Sequence, residues 1–364
     1  MDHGPSTILN PMLHFYPGPS KVYPSVRDYL TTAYDEGILN VPHRGDAFVQ
    51  LSKATIAAIR KKLNIPQDYY IFFTSSATEC WEILIQSLTR TSSFHVFNGS
   101  FGEKWYDYAK KLRPQAQAIS FPLTELLDVN ALPDEPEAEL ICLTQNETSN
   151  GTQLNGHTLL NLRNKYRDQL IGVDATSSMG GVNLKFILAD IWFASVQKCF
   201  GLPPGLALMA CSPRTIIRAK SIAEKNHYNS IVLLYDKMLN YQTSYTPNIL
   251  GIYLLYRVME QVEPIKILDH HLVERANDLY SFFEQFQDFQ PLIMDPNVRS
   301  STVITIVGAD KTIDEVKKRA AQEKILVGNG YGKWARNTFR IANFPAHEDV
   351  EYDTLKTFFL SHYS

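Results

Sequence analysis

Ser195-Val196-Gln197-Lys198-Cys199-Phe200-Gly201 lies between an apolar run, Ala189 to Ala194, and a turn rich in glycine and proline, Gly201 to Gly205. An ammonium group at the mouth of a buried strand is costly unless it is used. Such surroundings can strip its proton and leave an amine that attacks a carbonyl. Upstream, Ile171-Gly172-Val173-Asp174-Ala175-Thr176-Ser177-Ser178 reads as a second apolar strand that ends on a carboxylate. Asp174 precedes Lys198 by 24 residues, one strand-helix-strand unit, so both side chains can face one pocket.

The same pattern extends outward from this pair. Tyr70–Thr74, Phe94–Asn98, Ala118–Phe121, Leu140–Thr144, Leu170–Asp174, Ile191–Ser195 and Leu206–Cys211 are short apolar runs separated by longer polar or helical segments. Runs apolar throughout predict an α/β fold with a mostly parallel seven-stranded sheet covered by helices. In such sheets ligands sit beyond the carboxyl ends of the strands. There fall Ser75–Glu79, Gly99–Gly102, Asn146–Thr148, Asp174–Ser178 and Gln197–Lys198. From about residue 265 a smaller α/β unit is expected: a helix over 268–287, a strand at 303–307, a helix over 312–322, and strands at 325–327 and near Arg340. The division is expected inside a helix of residues 247–262. Residues 15–255 then form a large domain, and 256–364 with the segment 1–14 a small one.

At 364 residues the chain suits two domains of ordinary size. Its 45% hydrophobic and 20% charged residues are those of a globular protein. A net charge of −3 gives no reason to expect nucleic acid, and no apolar run reaches membrane-span length. The start, Met1-Asp2-His3-Gly4-Pro5, lacks the pattern of a signal peptide. Cys80, Cys142, Cys199 and Cys211 have no metal-like spacing, and no metal site is expected. Buried free thiols in a reducing cytoplasm fit this pattern.

Each candidate residue has an ordinary alternative. Lys198 could be a solvated lysine and Asp174 a turn cap. Together they make the pair that pyridoxal phosphate requires: a lysine for covalent attachment, and a carboxylate that keeps the pyridine nitrogen protonated so that the ring accepts electrons. Ser76, Ala77 and Thr78 open a helix after a strand, where small residues and the helix dipole suit a phosphate; the alternative is an N-cap with Glu79 as partner. Phe101, in a glycine-rich loop, can stack on a flat heteroaromatic or join the core. Asn146-Glu147-Thr148 offers short polar groups to a ring hydroxyl, or forms a capped turn. His43-Arg44 sits in a loop. Arg340, between Phe339 and Ile341, offers a planar fork for a carboxylate or phosphate, with Lys333 and Arg336 close by in sequence.

In this order the residues resemble the fold-type I, class V aminotransferases, most closely their phosphoserine branch. The resemblance covers nearly the whole chain, starting at Phe15-Tyr16-Pro17-Gly18-Pro19-Ser20. It implies cofactor contacts at Ala77, Thr78, Thr148, Asp174, Gln197 and Lys198, and at Phe101, where the family usually has tryptophan. It also implies a homodimer with shared active sites: Thr246 reaches the partner's cofactor phosphate, and His43-Arg44 reaches its substrate anions. Arg340 would grip the substrate α-carboxylate. The second His-Arg pair typical of that branch is absent, with Lys333 and Trp334 at the corresponding positions, and Tyr245 replaces an asparagine.

The expected reaction is transamination between O-phospho-L-serine/3-phosphohydroxypyruvate and glutamate/2-oxoglutarate, serving serine biosynthesis. An alanine– or serine–glyoxylate aminotransferase is the alternative; it needs no phosphate cluster. A cysteine desulfurase would need an exposed nucleophilic cysteine. A non-enzymatic binding protein on the same fold would stay colourless with the cofactor added.

Overall fold

The computed structural model of the chain describes residues 12–134 and 137–363. Seven strands form the larger sheet in the order Tyr70–Thr74, Ala207–Cys211, Ile191–Ser195, Leu170–Asp174, Leu140–Thr144, Phe94–Phe97 and Gln117–Ser120. All neighbours are parallel except Ala207–Cys211, which runs against both of its partners. Most of these strands are buried on both faces, which is why their sequences are unbroken apolar runs rather than alternating ones.

The helix Ala77–Leu88 illustrates how the sheet is covered. Cys80, Trp81, Ile83, Leu84, Ile85 and Leu88 are buried along it. Each large apolar side chain so buried contributes about 1.5–3 kcal/mol. Three helices, Pro213–Ile222, Ile231–Met238 and Ile249–Gln261, follow the sheet in sequence, the last of them where a helix over 247–262 is expected.

A second sheet has the order Leu13–Phe15, Ile325–Asn329, Thr338–Ala342, Val303–Gly308 and Phe289–Pro291. The first pair is parallel and the rest are antiparallel. Leu13–Phe15 thus joins the C-terminal unit; residues 1–11 of the expected 1–14 segment lie outside the described residues. One apolar cluster draws on residues 26–265, the other on Phe15 and residues 276–359. The buried residues of Ile249–Gln261 all belong to the first cluster, so the change of core falls within the next helix, Ile265–Phe283.

Two local structures differ from the sequence reading. Asn146–Glu147 does not stay in a loop but pairs with Thr152–Gln153 in a two-stranded hairpin. Phe101 lies not in a loop but in the first turn of the helix Ser100–Leu112. A buried carboxylate, Glu147, starts that helix and overrides the local glycines. No helix among the described residues is long and apolar enough to cross a membrane. All four cysteines are free and buried.

Candidate active site

Lys198 sits three residues beyond the strand Ile191–Ser195 and is buried. Its Nζ donates to Thr148 Oγ1 at 2.7 Å and to Ser177 Oγ at 2.8 Å, and these two hydroxyls also bond each other. The Phe101 ring lies 5.3 Å from the same nitrogen. Burial, chiefly, lowers the lysine pKa to about 8, and the positive Arg340 pushes the same way; Asp174 and Glu147 oppose it. A much larger share of the amine is therefore neutral near pH 7 than in an ordinary lysine.

Asp174 is the last residue of its strand. Its Oδ2 accepts from Trp81 Nε1 at 2.9 Å, and its Oδ1 from the Thr176 amide at 2.9 Å. Burial raises its pKa, against the opposing pull of these donors and of Lys198. Trp81 stacks on Trp105, with centroids 6.5 Å apart. The indole was not legible as a site residue: it reads in sequence as one more apolar helix position.

At the start of the helix Ala77–Leu88, Ser76 Oγ accepts from the Glu79 amide at 3.1 Å, and Glu79 Oε2 accepts from the Ser75 amide at 2.7 Å. The ordinary capping alternative is thus realised, and the Ser76 hydroxyl is partly committed. The Ala77 amide donates to Ser195 Oγ at 2.7 Å. Among the described residues the Thr78 amide has no hydrogen-bond partner, which leaves a helix N-terminal donor open to an anion.

Phe101 is held by Glu147. Glu147 Oε2 accepts from the amides of Phe101 and Gly102 at 3.1 and 3.2 Å; Oε1 accepts from the Ser149 amide and hydroxyl at 2.9 and 2.7 Å. A side chain at Gly99 would place its Cβ 2.2 Å from Glu147 Cγ, so only glycine lets this carboxylate reach the helix. Burial is the main cause that raises the Glu147 pKa. Tyr331 stacks on Phe101 with centroids 5.0 Å apart. Arg340 is buried; its Nε donates to Asn329 O at 2.6 Å and its Nη1 to Thr148 O at 2.8 Å, while Nη2 has no partner among the described residues.

Ala77, Thr78, Phe101, Thr148, Asp174, Gln197, Lys198 and Arg340 line one cavity of about 200 Å³, together with Tyr16–Pro19, Trp81 and Tyr331. Ser177 adjoins it through Lys198. Six other sequence-nominated residues do not line this cavity in the single chain; one is Ser76, which caps its helix beside Ala77. Arg44 is exposed, with Nη1 bonded to Thr243 O at 2.6 Å; His43 precedes it, and Thr246 is exposed nearby in sequence. Lys333 lies over the Trp334 ring at 4.6 Å, and Arg336 pairs with Asp310 at 3.1 Å, 87% exposed. A tight turn through Gly332, φ +57°, directs Tyr331 inward and leaves both cations at the surface.

These residues fit pyridoxal phosphate. Both hydrogen-bond donors on the buried Asp174 carboxylate are neutral, so the carboxylate is suited to a cationic ring nitrogen. Lys198 supplies the amine, Phe101 an aromatic face, and Thr78 an open amide.

Comparison with known proteins places this geometry in context. The family model described as "Aminotransferase class-V" matches residues 15–333. Phosphoserine aminotransferase of Rhodococcus opacus (strain B4) is 28% identical over 95% of this chain and 94% of its own length. The structure of a phosphoserine aminotransferase from Cytophaga hutchinsonii ATCC 33406 superposes with a TM-score of 0.92 at 32% identity, covering 97% of this chain and 99% of that one. Alanine–glyoxylate aminotransferase of Nostoc sp. shares the fold at a TM-score of 0.83 and 22% identity, over 98% and 96% of the two chains.

Proposed function

This chain belongs to the class-V aminotransferase family, with the fold-type I architecture of pyridoxal-phosphate-dependent aminotransferases, and from that premise we propose how its residues perform the reaction. The substrates are O-phospho-L-serine with 2-oxoglutarate and, in reverse, 3-phosphohydroxypyruvate with glutamate, a step of serine biosynthesis. The observation that carries this reading is the meeting of a buried lysine, a buried carboxylate and a buried arginine in one cavity, in a chain similar over nearly its whole length to phosphoserine aminotransferases.

When bound, pyridoxal phosphate supplies an electron sink for the pair left by the broken Cα–H bond and carries the amino group between the two half-reactions. Lys198 Nζ would take the proton from the substrate Cα as a free amine and deliver it to the cofactor carbon that carries the amino group, acting as base and then acid. Its lowered pKa keeps the amine neutral enough for the first task. Thr148 and Ser177 hold it in place. Asp174 holds a proton on the pyridine nitrogen, and the Trp81 and Thr176 donors fix its orientation. The Arg340 fork, anchored through Nε and Nη1, presents Nη2 to the α-carboxylate. Ala77, Thr78 and Ser76 would hold the cofactor phosphate, with Gln197 beside Lys198.

His43, Arg44 and Thr246 serve the partner's site in a homodimer. The bond from Arg44 to Thr243 O supports this, because it brings Arg44 against the segment that carries the exposed Thr246. Gel filtration with light scattering checks the dimer. The substrate assignment is tested on the holoenzyme by adding O-phosphoserine, glutamate, serine or alanine separately and following loss of the visible absorbance of the bound cofactor. Rapid conversion by phosphoserine and glutamate alone supports it. Conversion by serine or alanine with phosphoserine inert moves the enzyme to the glyoxylate group.

A further inference from the structure

The substrates just proposed carry two anionic ends, and Arg340 accounts for only one. Of the sequence candidates for the other, Lys333 and Arg336 lie outside the cavity of this chain, and His43-Arg44 are assigned above to the partner's site. A different cation meets the cavity wall. Lys104 lies one turn after Phe101 on the helix Ser100–Leu112, on the same face. Its Nζ donates to the Tyr331 hydroxyl and stands 4.8 Å from the Tyr331 ring centroid and 6.0 Å from that of Phe101. Arg340 Cζ lies 5.6 Å from the same Tyr331 ring. One tyrosine that lines the cavity therefore has both cations against it.

The surroundings leave the Lys104 charge available. It makes no ion pair with a carboxylate among the described residues, and it is exposed. Tyr331 is nevertheless fixed. It stacks on Phe101 within 17° of parallel, and a Cβ at Gly332 would stand 2.1 Å from Ser100 Oγ, so the turn is packed on the first turn of the same helix. A phosphate or carboxylate arriving here can accept from the ammonium in place of the phenol oxygen and take the phenol proton as a second hydrogen bond. Charge-assisted bonds of this kind are the stronger ones.

We propose that Lys104, with the Tyr331 hydroxyl, binds the distal anion of the substrate, the phosphate of phosphoserine or the γ-carboxylate of glutamate, and so determines a preference for doubly anionic amino acids. This rests on the substrate reading above. The test is steady-state kinetics on the wild-type, K104M, K104R and Y331F holoenzymes with phosphoserine, glutamate and alanine, together with inhibition by inorganic phosphate. Loss of a hydrogen bond to a charged group at an exposed rim predicts a rise of about tenfold or more in KM for phosphoserine and for glutamate in K104M. The phosphate inhibition constant rises in parallel, kcat changes little, any alanine turnover is unaffected, and K104R recovers most of the loss. Y331F shows a smaller rise in KM. K104M with wild-type KM values for phosphoserine and glutamate overturns the assignment of Lys104 while leaving the substrate reading intact. A wild-type enzyme inert toward phosphoserine overturns both.

Discussion

Replacing Trp81 by phenylalanine should loosen the cofactor while leaving the fold in place. The indole Nε1 is one of two hydrogen-bond donors to the Asp174 carboxylate, at 2.9 Å, and the Thr176 amide is the other. Phenylalanine keeps a ring against Trp105 but removes that donor. A hydrogen bond to a charged group contributes about 1.5–3 kcal/mol, equivalent to roughly tenfold to hundredfold in a binding constant. Water entering the cavity replaces part of the loss, so the lower end of that range is expected. Burial already raises the Asp174 pKa, and without the indole it rises further. The carboxylate form is needed to hold a protonated pyridine, so the acid limb of cofactor binding should move to higher pH. The assay titrates the apoprotein with pyridoxal phosphate by visible absorbance, across pH, beside a denaturant melt of each apoprotein to separate stability from binding. W81F apoprotein that binds the cofactor with wild-type affinity and an unmoved acid limb would refute the assignment of Trp81 as a positioning residue.

Other consequences follow from the same geometry. The rate at which apoprotein takes up pyridoxal phosphate covalently should rise about tenfold per pH unit below pH 8 and level off above it, because only the neutral Lys198 amine reacts and its pKa is lowered to about 8. A rise continuing toward pH 10, as for an unperturbed lysine, would contradict that. Glu147→Gln puts an amide N–H₂ opposite donors that now meet only acceptors, leaving at least one buried N–H unpaired. A loss of about 1–3 kcal/mol in urea unfolding is expected, with weaker stacking of Phe101. Thr148→Val removes the hydroxyl that holds Lys198 but keeps the carbonyl that holds Arg340. Its kcat should fall roughly tenfold through misplacement of the amine, with little change in the binding of a carboxylate competitor; equal losses in both would refute the separation.

The sheet was legible because most of its strands are buried on both faces; each of the seven runs read from the sequence lies within about one residue of the observed strand, the half-exposed edge strand Gln117–Ser120 included. Asp174 and Lys198 were legible because polar groups that close apolar runs have few other reasons to be there. Trp81, Tyr331 and the helix-starting part of Glu147 were not. Trp81 is indistinguishable in sequence from its apolar helix neighbours until the fold sets it against Asp174. Glu147 acts on a helix 45 residues upstream in sequence, at Gly102, and no local pattern encodes that reach. Lys333 and Arg336 attracted attention by standing close to Arg340 in sequence. The turn at Gly332 separates them from it in space, and Tyr331 takes the inward position instead. The one signal that could have located the helix cap is the glycine at position 99, where any side chain would displace Glu147.

The tripeptide Asn146-Glu147-Thr148 explains why so many parts of the site keep a common frame. Asn146 Nδ2 donates to Thr302 Oγ1 at 3.0 Å, which ties the large sheet to the residue preceding the strand Val303–Gly308 of the second. Glu147 starts the helix that carries Phe101 and Lys104. Thr148 receives Lys198 on its hydroxyl and Arg340 on its carbonyl. The lysine proposed to move the α-proton and the arginine proposed to hold the α-carboxylate are thus referenced to one residue. With Asn329 O also holding Arg340 and Ser177 also holding Lys198, a substrate bound as proposed would have its Cα–H placed relative to Lys198 largely through Thr148, next to a two-stranded hairpin. Orientation of this kind lowers a barrier only if both ends are fixed together. Their sharing of one anchor would let a lysine just beyond a strand of the large sheet and an arginine of the small one address neighbouring atoms of the proposed substrate.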